Sequence, residues 1–251
     1  RMSHSSKKYL YAIVPADAFA SSSLSLEGID DAALYAVPRG ELAVVVSDLE
    51  RDKLRPRRRH LKAHHTAVNA LVRSDIDILP MSFGVLAEST SELRTFLASN
   101  QGTLQSQMEA LRNCVEIGFR VAWKVDNLFQ YFVDHHEGLR QARDRYFQGG
   151  DREPTREEKM ELGEFFREVL EAKRADYQER VRNHLQPPAE QIHADDCRED
   201  TDVMRLACLV KRNRVDAFDE AVHAAAQEFD EHFLFKYTDP TAPYTFVDVT
   251  L

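Results

Sequence analysis

The stretch HLKAHHTAV holds the side chains best suited to chemistry: His60, His64 and His65. Histidines four residues apart share one face of a helix, where His60 and His64 could bind a metal ion together. A protein metal centre needs three or four ligands, and here no glutamate stands beside the pair and no third ligand is apparent. His64 and His65 also border an apolar stripe of Leu61, Val68 and Leu71. The spacing therefore predicts hydrogen-bonded histidines at the edge of a core, and no metal. Around them, Arg51, Lys53, Arg55, Arg57, Arg58, Arg59 and Lys62 form a basic cluster. Cations at a helix start oppose the helix macrodipole. The cluster is a solvated helix start, a dock for an acidic protein surface or a nucleic-acid contact, and Arg57, Arg58 and Arg59 are the candidate docking residues.

No other constellation competes. Asp195, Asp196, Glu199, Asp200 and Asp202 lack the glycine and spacing of a calcium loop, so a solvated acidic loop is expected. GxSxG, P-loop, GxGxxG and HExxH patterns are all missing. An enzyme should pair a nucleophile with its base, or two acids in a pocket, so no catalytic residue and no cofactor is predicted. Cys114, Cys197 and Cys208 include no CxxC pair and fit a reducing compartment better than a disulfide framework. Cys114 and Cys208 fall in apolar runs and read as core thiols. The 251 residues carry a formal net charge of −9 and are 43% hydrophobic. Such a chain can bury a sizeable core and is ill suited to wrapping a polyanion. No apolar run approaches the roughly 18 residues of a membrane span. The N-terminal stretch lacks a signal-peptide core, and Arg1, ahead of Met2, reads as a cloning remnant. A cytoplasmic protein is expected, without membrane or nucleic-acid partners.

The elements that must position these residues read as two α+β domains, 6–112 and 113–251. Tyr9–Val14 is a strand, and Ala33–Val37 with Leu42–Val46 form a hairpin about Pro38-Arg39-Gly40. A helix runs from near Pro56 to about Arg73. The stretch DIDILPMSFGVLAES then alternates like a strand but is interrupted by Pro80 and Gly84. A bent strand is expected, with Pro80 where a ladder bond is dispensable and Gly84 where another element approaches closely. Ser89 and Glu92 form a capping-box pattern ahead of one helical stripe reaching Leu111. Helices are expected on one face of this first sheet.

In the second domain Val115, Ile117, Phe119, Val121 and Trp123 alternate with polar residues as a strand. Long helices follow at about 126–147 and 156–185, and QPPAEQIHADDCREDTD has room for a short strand. Val203–Val210 and HFLFKY are strands flanking a helix over Val215–Phe229. The order is close to a split βαβ, ferredoxin-like fold with an inserted helical segment, in mainly antiparallel sheets. The tail 238–251 carries Tyr244, Phe246, Val247 and Val249, too much apolar area to leave free. It is expected to fold back onto the body, near the junction of the domains.

Several blocks together resemble the gas vesicle protein L/F family. They are YLYAIVPA, GELAVVVSDL, HTAV followed by DILPMSFGVLAES, NCVEIGFRVAW, RLACLVKRNRVDAFDEAV and DPTAPYTFVDV, in the family's order and over most of the chain. In the family's L-P-x-R-F-G block, Leu79, Pro80, Phe83 and Gly84 match, while Ser82 stands where arginine is usual. In its G-P-W-P-P-Y-x-F tail, Pro240, Pro243, Tyr244 and Phe246 match, while Asp239, Thr241 and Ala242 depart. His65, Glu116 and Gly118 fall in further matching blocks and join Leu79, Pro80, Phe83, Gly84, Pro243, Tyr244 and Phe246 as candidate structural residues. The resemblance implies an accessory protein of gas vesicle assembly, without enzymatic activity, in the cytoplasm and at the vesicle. Its implied partners are the hydrophobic shell subunit and other accessory proteins, bound non-covalently, or it is itself a minor structural component. Two other readings stay open on the residues alone. One is a regulatory small-molecule-binding protein on ferredoxin-like domains. The other is an RNA-binding module with Tyr9 and Tyr11 as stacking aromatics.

Overall fold

The computed structural model describes residues 6–21, 25–50, 54–147 and 154–249. Among these, contacts divide the chain into two compact units. The first comprises residues up to Ile117, with Leu209–Arg212 and the tail from Asp239 onward; the second comprises Gly118–Cys208 and Asn213–Thr238. The grouping is not the linear one expected, because the bonding partners of the tail lie in the first unit.

The first unit is built on a five-stranded sheet. Its elements are β1 (Lys7–Pro15), α1 (Ala16–Ser21), β2 (Tyr35–Arg39), β3 (Leu42–Leu49), α2 (Arg58–Arg73), β4 (Leu79–Pro80), β5 (Leu86–Ala87), α3 (Thr90–Ser99) and α4 (Gln101–Ala110). The order is β2-β3-β1-β4, with β5 also on β1, and the pairings are antiparallel. Pro38 lies in β2, an edge strand, where a missing N–H is tolerated. Helices cover both faces rather than the single face expected. Leu10, Val44 and Val46 pack with Leu93 and Leu97 of α3 and Leu104 of α4, whereas Tyr9 and Tyr11 pack against His64 of α2. The cause is legible in YLYAIV and LAVVV, continuous apolar runs that need burial on both faces. A bulge between Leu10 and Ala12 inserts Tyr11 as an extra residue against β3.

The predicted helix through Leu111 is two helices. Asn100 breaks it with φ −112 and ψ 10, and its side-chain amide donates to the Phe96 carbonyl (2.9 Å). At the start of α3 Ser89 accepts from the Glu92 N–H, as the capping pattern anticipates.

The second sheet has the order β7-β8-β6-β9, from β6 (Cys114–Trp123), β7 (Ala189–Asp195), β8 (Asp202–Lys211) and β9 (Phe233–Tyr237). Between β6 and β7 run α5 (Leu128–His135), α6 (Glu137–Phe147) and α7 (Arg156–Leu185), and α8 (Val215–Ala226) joins β8 to β9. The predicted helix over 126–147 is divided at His136, whose backbone is extended and whose Nδ1 accepts the Leu139 N–H (3.2 Å). The α7 helix starts at a complete capping box of Thr155 and Glu158. Trp123, Phe132, Tyr177, Phe229 and Phe233 pack in edge-on and tilted ring contacts that run from the buried Trp123 and Phe132 to the half-buried other three. In the acidic loop Asp202 is fully buried rather than solvated. Burial pushes its carboxyl up, but the Arg198 and Glu199 N–H groups and Arg120 outweigh that and hold it below the usual range.

Candidate functional site

A buried polar cluster of the first unit surrounds His64. The α2 stripe turns this ring inward, fully buried, between Tyr9 and Tyr11 of β1; the Tyr11 ring stacks on it at 5.6 Å. Nε2 of His64 lies 3.1 Å from the Met81 carbonyl and 3.2 Å from the Tyr244 hydroxyl. A carbonyl only accepts, so Nε2 carries the proton and Nδ1 is bare. The Tyr9 hydroxyl then donates to Nδ1 (2.9 Å) and accepts the Gly84 N–H (3.1 Å). Beside it the Tyr11 hydroxyl accepts the Ile29 N–H (2.7 Å), which leaves its proton for Ser47 Oγ (2.9 Å). A Cβ on Gly28 would stand 1.9 Å from that hydroxyl, so glycine is needed there. Burial pushes the Tyr9, Tyr11 and Tyr244 hydroxyls upward, and they stay protonated. Burial also holds the His64 imidazole down at about 4, with the neighbouring His65 adding to the effect.

The interrupted strand wraps this cluster. Leu79 and Pro80 pair with Ile13 and Ala12, and the Met81 N–H donates to the Tyr11 carbonyl (2.9 Å). Alternation then turns position 80 outward at the sheet edge, where an N–H would have no partner strand. The chain leaves the ladder, places Phe83 edge-on to Tyr9 and His64, and returns when the Val85 carbonyl accepts the Leu10 N–H (3.1 Å). Gly84 has φ +92, and a Cβ there would meet nothing within 4 Å. The backbone conformation requires this glycine, not the close approach that the sequence led us to expect.

The tail closes the same cluster. Glu116 and Thr241 exchange backbone bonds of 2.9 Å each way, and the Glu116 carboxylate accepts the Thr245 N–H (2.8 Å) and hydroxyl (2.9 Å). Farther on, the Gln107 amide bonds the Asp248 carbonyl and N–H at 2.9 and 3.2 Å, as a strand neighbour would. Pro243 is buried, Tyr244 reaches His64, and Phe246, Val247 and Val249 pack against the core.

The structure thus brings Leu79, Pro80, Phe83, Gly84, Glu116, Pro243, Tyr244 and Phe246 into one unit around His64. His65, singled out by its block, is exposed on α2 and only flanks the His64 and Tyr244 rings. Gly118 bonds Thr238 through its N–H and carbonyl, and an added Cβ would meet Thr238 Cγ2 at an ordinary 3.4 Å. Nothing steric explains a glycine there. Tyr9 and Tyr11 are fully buried and present no face to a nucleic-acid base. His60, nearly buried, bonds the Arg55 carbonyl through Nδ1 and accepts from Arg59 Nε. Among the described residues no group of three or more His, Cys, Asp or Glu side chains is disposed to hold a metal ion, and no helix is long and apolar enough to cross a membrane.

Arg57, Arg58 and Arg59 are exposed at the start of α2, which has no acidic residue in its first turn. Arg59 Nη2 lies 3.8 Å from Asp30, whereas Arg57 and Arg58 have no ion-pair partner among the described residues. Arg51 and Lys53 lie outside the described residues.

The sequence profile of the gas vesicle synthesis protein GvpL/GvpF family matches residues 7–248. The chain belongs to that family. Gas vesicle protein F of Nostoc sp. is 23% identical over 98% of this chain and 100% of its own length. Gas vesicle protein L1 of Halobacterium salinarum is 23% identical over 96% of this chain and 90% of its own. The crystal structure of GvpF from Anabaena sp. PCC7120 has a TM-score of 0.85 at 22% identity, over 98% of this chain and 100% of that one. That of GvpF from Microcystis aeruginosa has a TM-score of 0.81 at 22% identity, over 97% and 99%. The likeness establishes an α+β fold of two antiparallel sheets with helices. In this GvpL/GvpF chain, the central block is the interrupted strand and the closing block is the tail that meets it.

Two predictions follow from the cluster. His64 titrates at about 4 folded against 6.5 unfolded, so the unfolded chain takes up the proton first as pH falls. Its contribution is fully present above pH 6.5 and is lost progressively toward pH 4, by up to about 3 kcal/mol. Urea unfolding across that window should show the decline, and His64→Gln should be weaker at pH 7 with a shallower slope. An identical slope would remove His64 as its cause. Second, a chain ending at Thr238 should melt lower or become insoluble, because it loses the packing of the partly buried Tyr244 and Phe246, worth up to roughly 1.5–3 kcal/mol for each side chain if fully buried. An unaltered melting temperature would contradict this.

Proposed function

We propose that this gas vesicle synthesis protein acts in assembly by binding the hydrophobic shell subunit and other accessory proteins without covalent chemistry. It would do so in the cytoplasm and at the vesicle, as an escort for the subunit or as a minor component. The observation that carries the reading is the family match across nearly the whole chain. Arg57 and Arg58 support a contact with acidic surface. Without an ion-pair partner among the described residues, they are cations on the positive end of a helix dipole, an arrangement that costs stability in the free protein and is relieved by an anion. We also read the second sheet as ferredoxin-like. Its order β7-β8-β6-β9 supports this, with α5, α6 and α7 in place of one crossover helix.

Co-expression with a tagged shell subunit should recover both proteins, and the purified pair should associate below tens of micromolar, roughly the limit of weak specific binding. Absence of association at that level would overturn the reading. The double variant Arg57→Glu/Arg58→Glu should weaken association by about tenfold or more and reduce its salt dependence, with melting unchanged or slightly raised because glutamate suits a helix start. It spares Arg59, which is tied to Asp30 and His60. Unchanged affinity would return these arginines to a solvated role.

A further inference from the structure

The second sheet ends at β9, with the sequence FLFKY. Two of the four large apolar side chains that stand exposed among the described residues lie on these five: Leu234 at 37% and Tyr237 at 43%. Phe233 and Phe235 are half-buried. The strand pairs antiparallel with β6, setting Tyr237 opposite Phe119, Phe235 opposite Val121 and Phe233 opposite Trp123. Thr238 N–H donates to the Gly118 carbonyl (2.9 Å) and Lys124 N–H to the His232 carbonyl (2.6 Å). These bonds fix the direction of every backbone group. Even-numbered residues turn toward β6, and Phe233, Phe235 and Tyr237 turn outward, where no further strand of the described residues pairs. The Phe233 N–H is met by the Asp230 carbonyl (3.2 Å). Exposed edges are usually blunted by charge, proline or a bulge. This one carries a single charge, Lys236, and no proline.

We propose that β9 pairs antiparallel with β9 of a second copy of this chain, about a two-fold axis at Phe235. In that register the strand is complementary to itself. Phe235 meets Phe235 and exchanges both backbone bonds, Phe233 meets Tyr237, and Leu234 meets Lys236. Aromatic cross-strand pairs stabilise such ladders, and the lysine stem covers the exposed leucine while its ammonium stays in water. Neighbouring registers are worse. Centring on Lys236 sets two ammonium groups opposite each other, and centring on Leu234 sets Tyr237 against Glu231, beyond the strand. Five residues a side is far below the ~20–30 of a stable interface, so the dimer is weak, on the order of tens of micromolar.

Sedimentation velocity on the full chain, from about 1 to 300 µM to bracket that affinity, tests this. The mass should rise from 28.8 kDa toward twice that value. Leu234→Lys, at an exposed position, should stay monomeric with unchanged melting. Positions 234 and 236 of the two copies form a non-hydrogen-bonded pair, with Cα atoms about 4.5 Å apart and within disulfide reach. In a Cys197→Ser background, mixed Leu234→Cys and Lys236→Cys chains should therefore oxidise to a crossed dimer, and neither alone should. A wild-type chain monomeric throughout, a dimer indifferent to Leu234→Lys, or equal cross-linking of each variant alone would each overturn the proposal.

Discussion

A neutral imidazole has one donor and one acceptor, and in the first unit His64 uses both on groups far apart in sequence. The Met81 carbonyl and Tyr244 hydroxyl share its proton, and the Tyr9 hydroxyl fills its bare nitrogen. His64, Tyr9 and Met81 are buried away from water, so losing a bond among them strands its partner at about 1–3 kcal/mol. Bonds of this kind polarise one another, so each is stronger in the company of the others. Ring charge, strand path and tail position are therefore a single constraint in this unit.

Two oddities of the chain follow from it. A strand that stayed in the ladder through Ser82 and Gly84 would carry the Gly84 N–H past Tyr9. Leaving the ladder brings that N–H to the Tyr9 hydroxyl and frees the Met81 carbonyl for His64. Pro80 suits the exit because its position faces the open edge, and Gly84 suits the return because φ is +92 there. The tail is held by side chains that act as backbone. Glu116 and Gln107 each accept a tail N–H, replacing a strand that the sheet lacks at that point.

Much of this was legible in the sequence. Helix α7 falls over the predicted 156–185 because its stripe is long and Thr155-x-x-Glu158 caps it. The hairpin is readable at Gly40, with φ +61, but Pro38 and Arg39, expected in the turn, pair with Ala43 and Leu42 as the end of β2 and leave Gly40-Glu41 as the turn. The breaks at Asn100 and His136 were hidden because the apolar stripe continues across them, and each polar residue bonds a neighbouring turn instead of interrupting the pattern. His64 and His65 border the same stripe, and a rotation of one residue decides which is buried. Tyr9 and Tyr11 look like a half-exposed alternation until Tyr11 is seen as a bulge residue. The roles of Glu116 and Gln107 had no local signal, since their partners lie 129 and 141 residues away.

The central claim is that His64 is a neutral, Nε2-protonated imidazole at neutral pH. Long-range proton–nitrogen NMR of the histidine rings reads this directly. The account predicts an unprotonated Nδ1 and a protonated Nε2 for His64, with no titration until the pH approaches 4. A proton on Nδ1, or a ring that titrates near 6.5 like a free histidine, would contradict it.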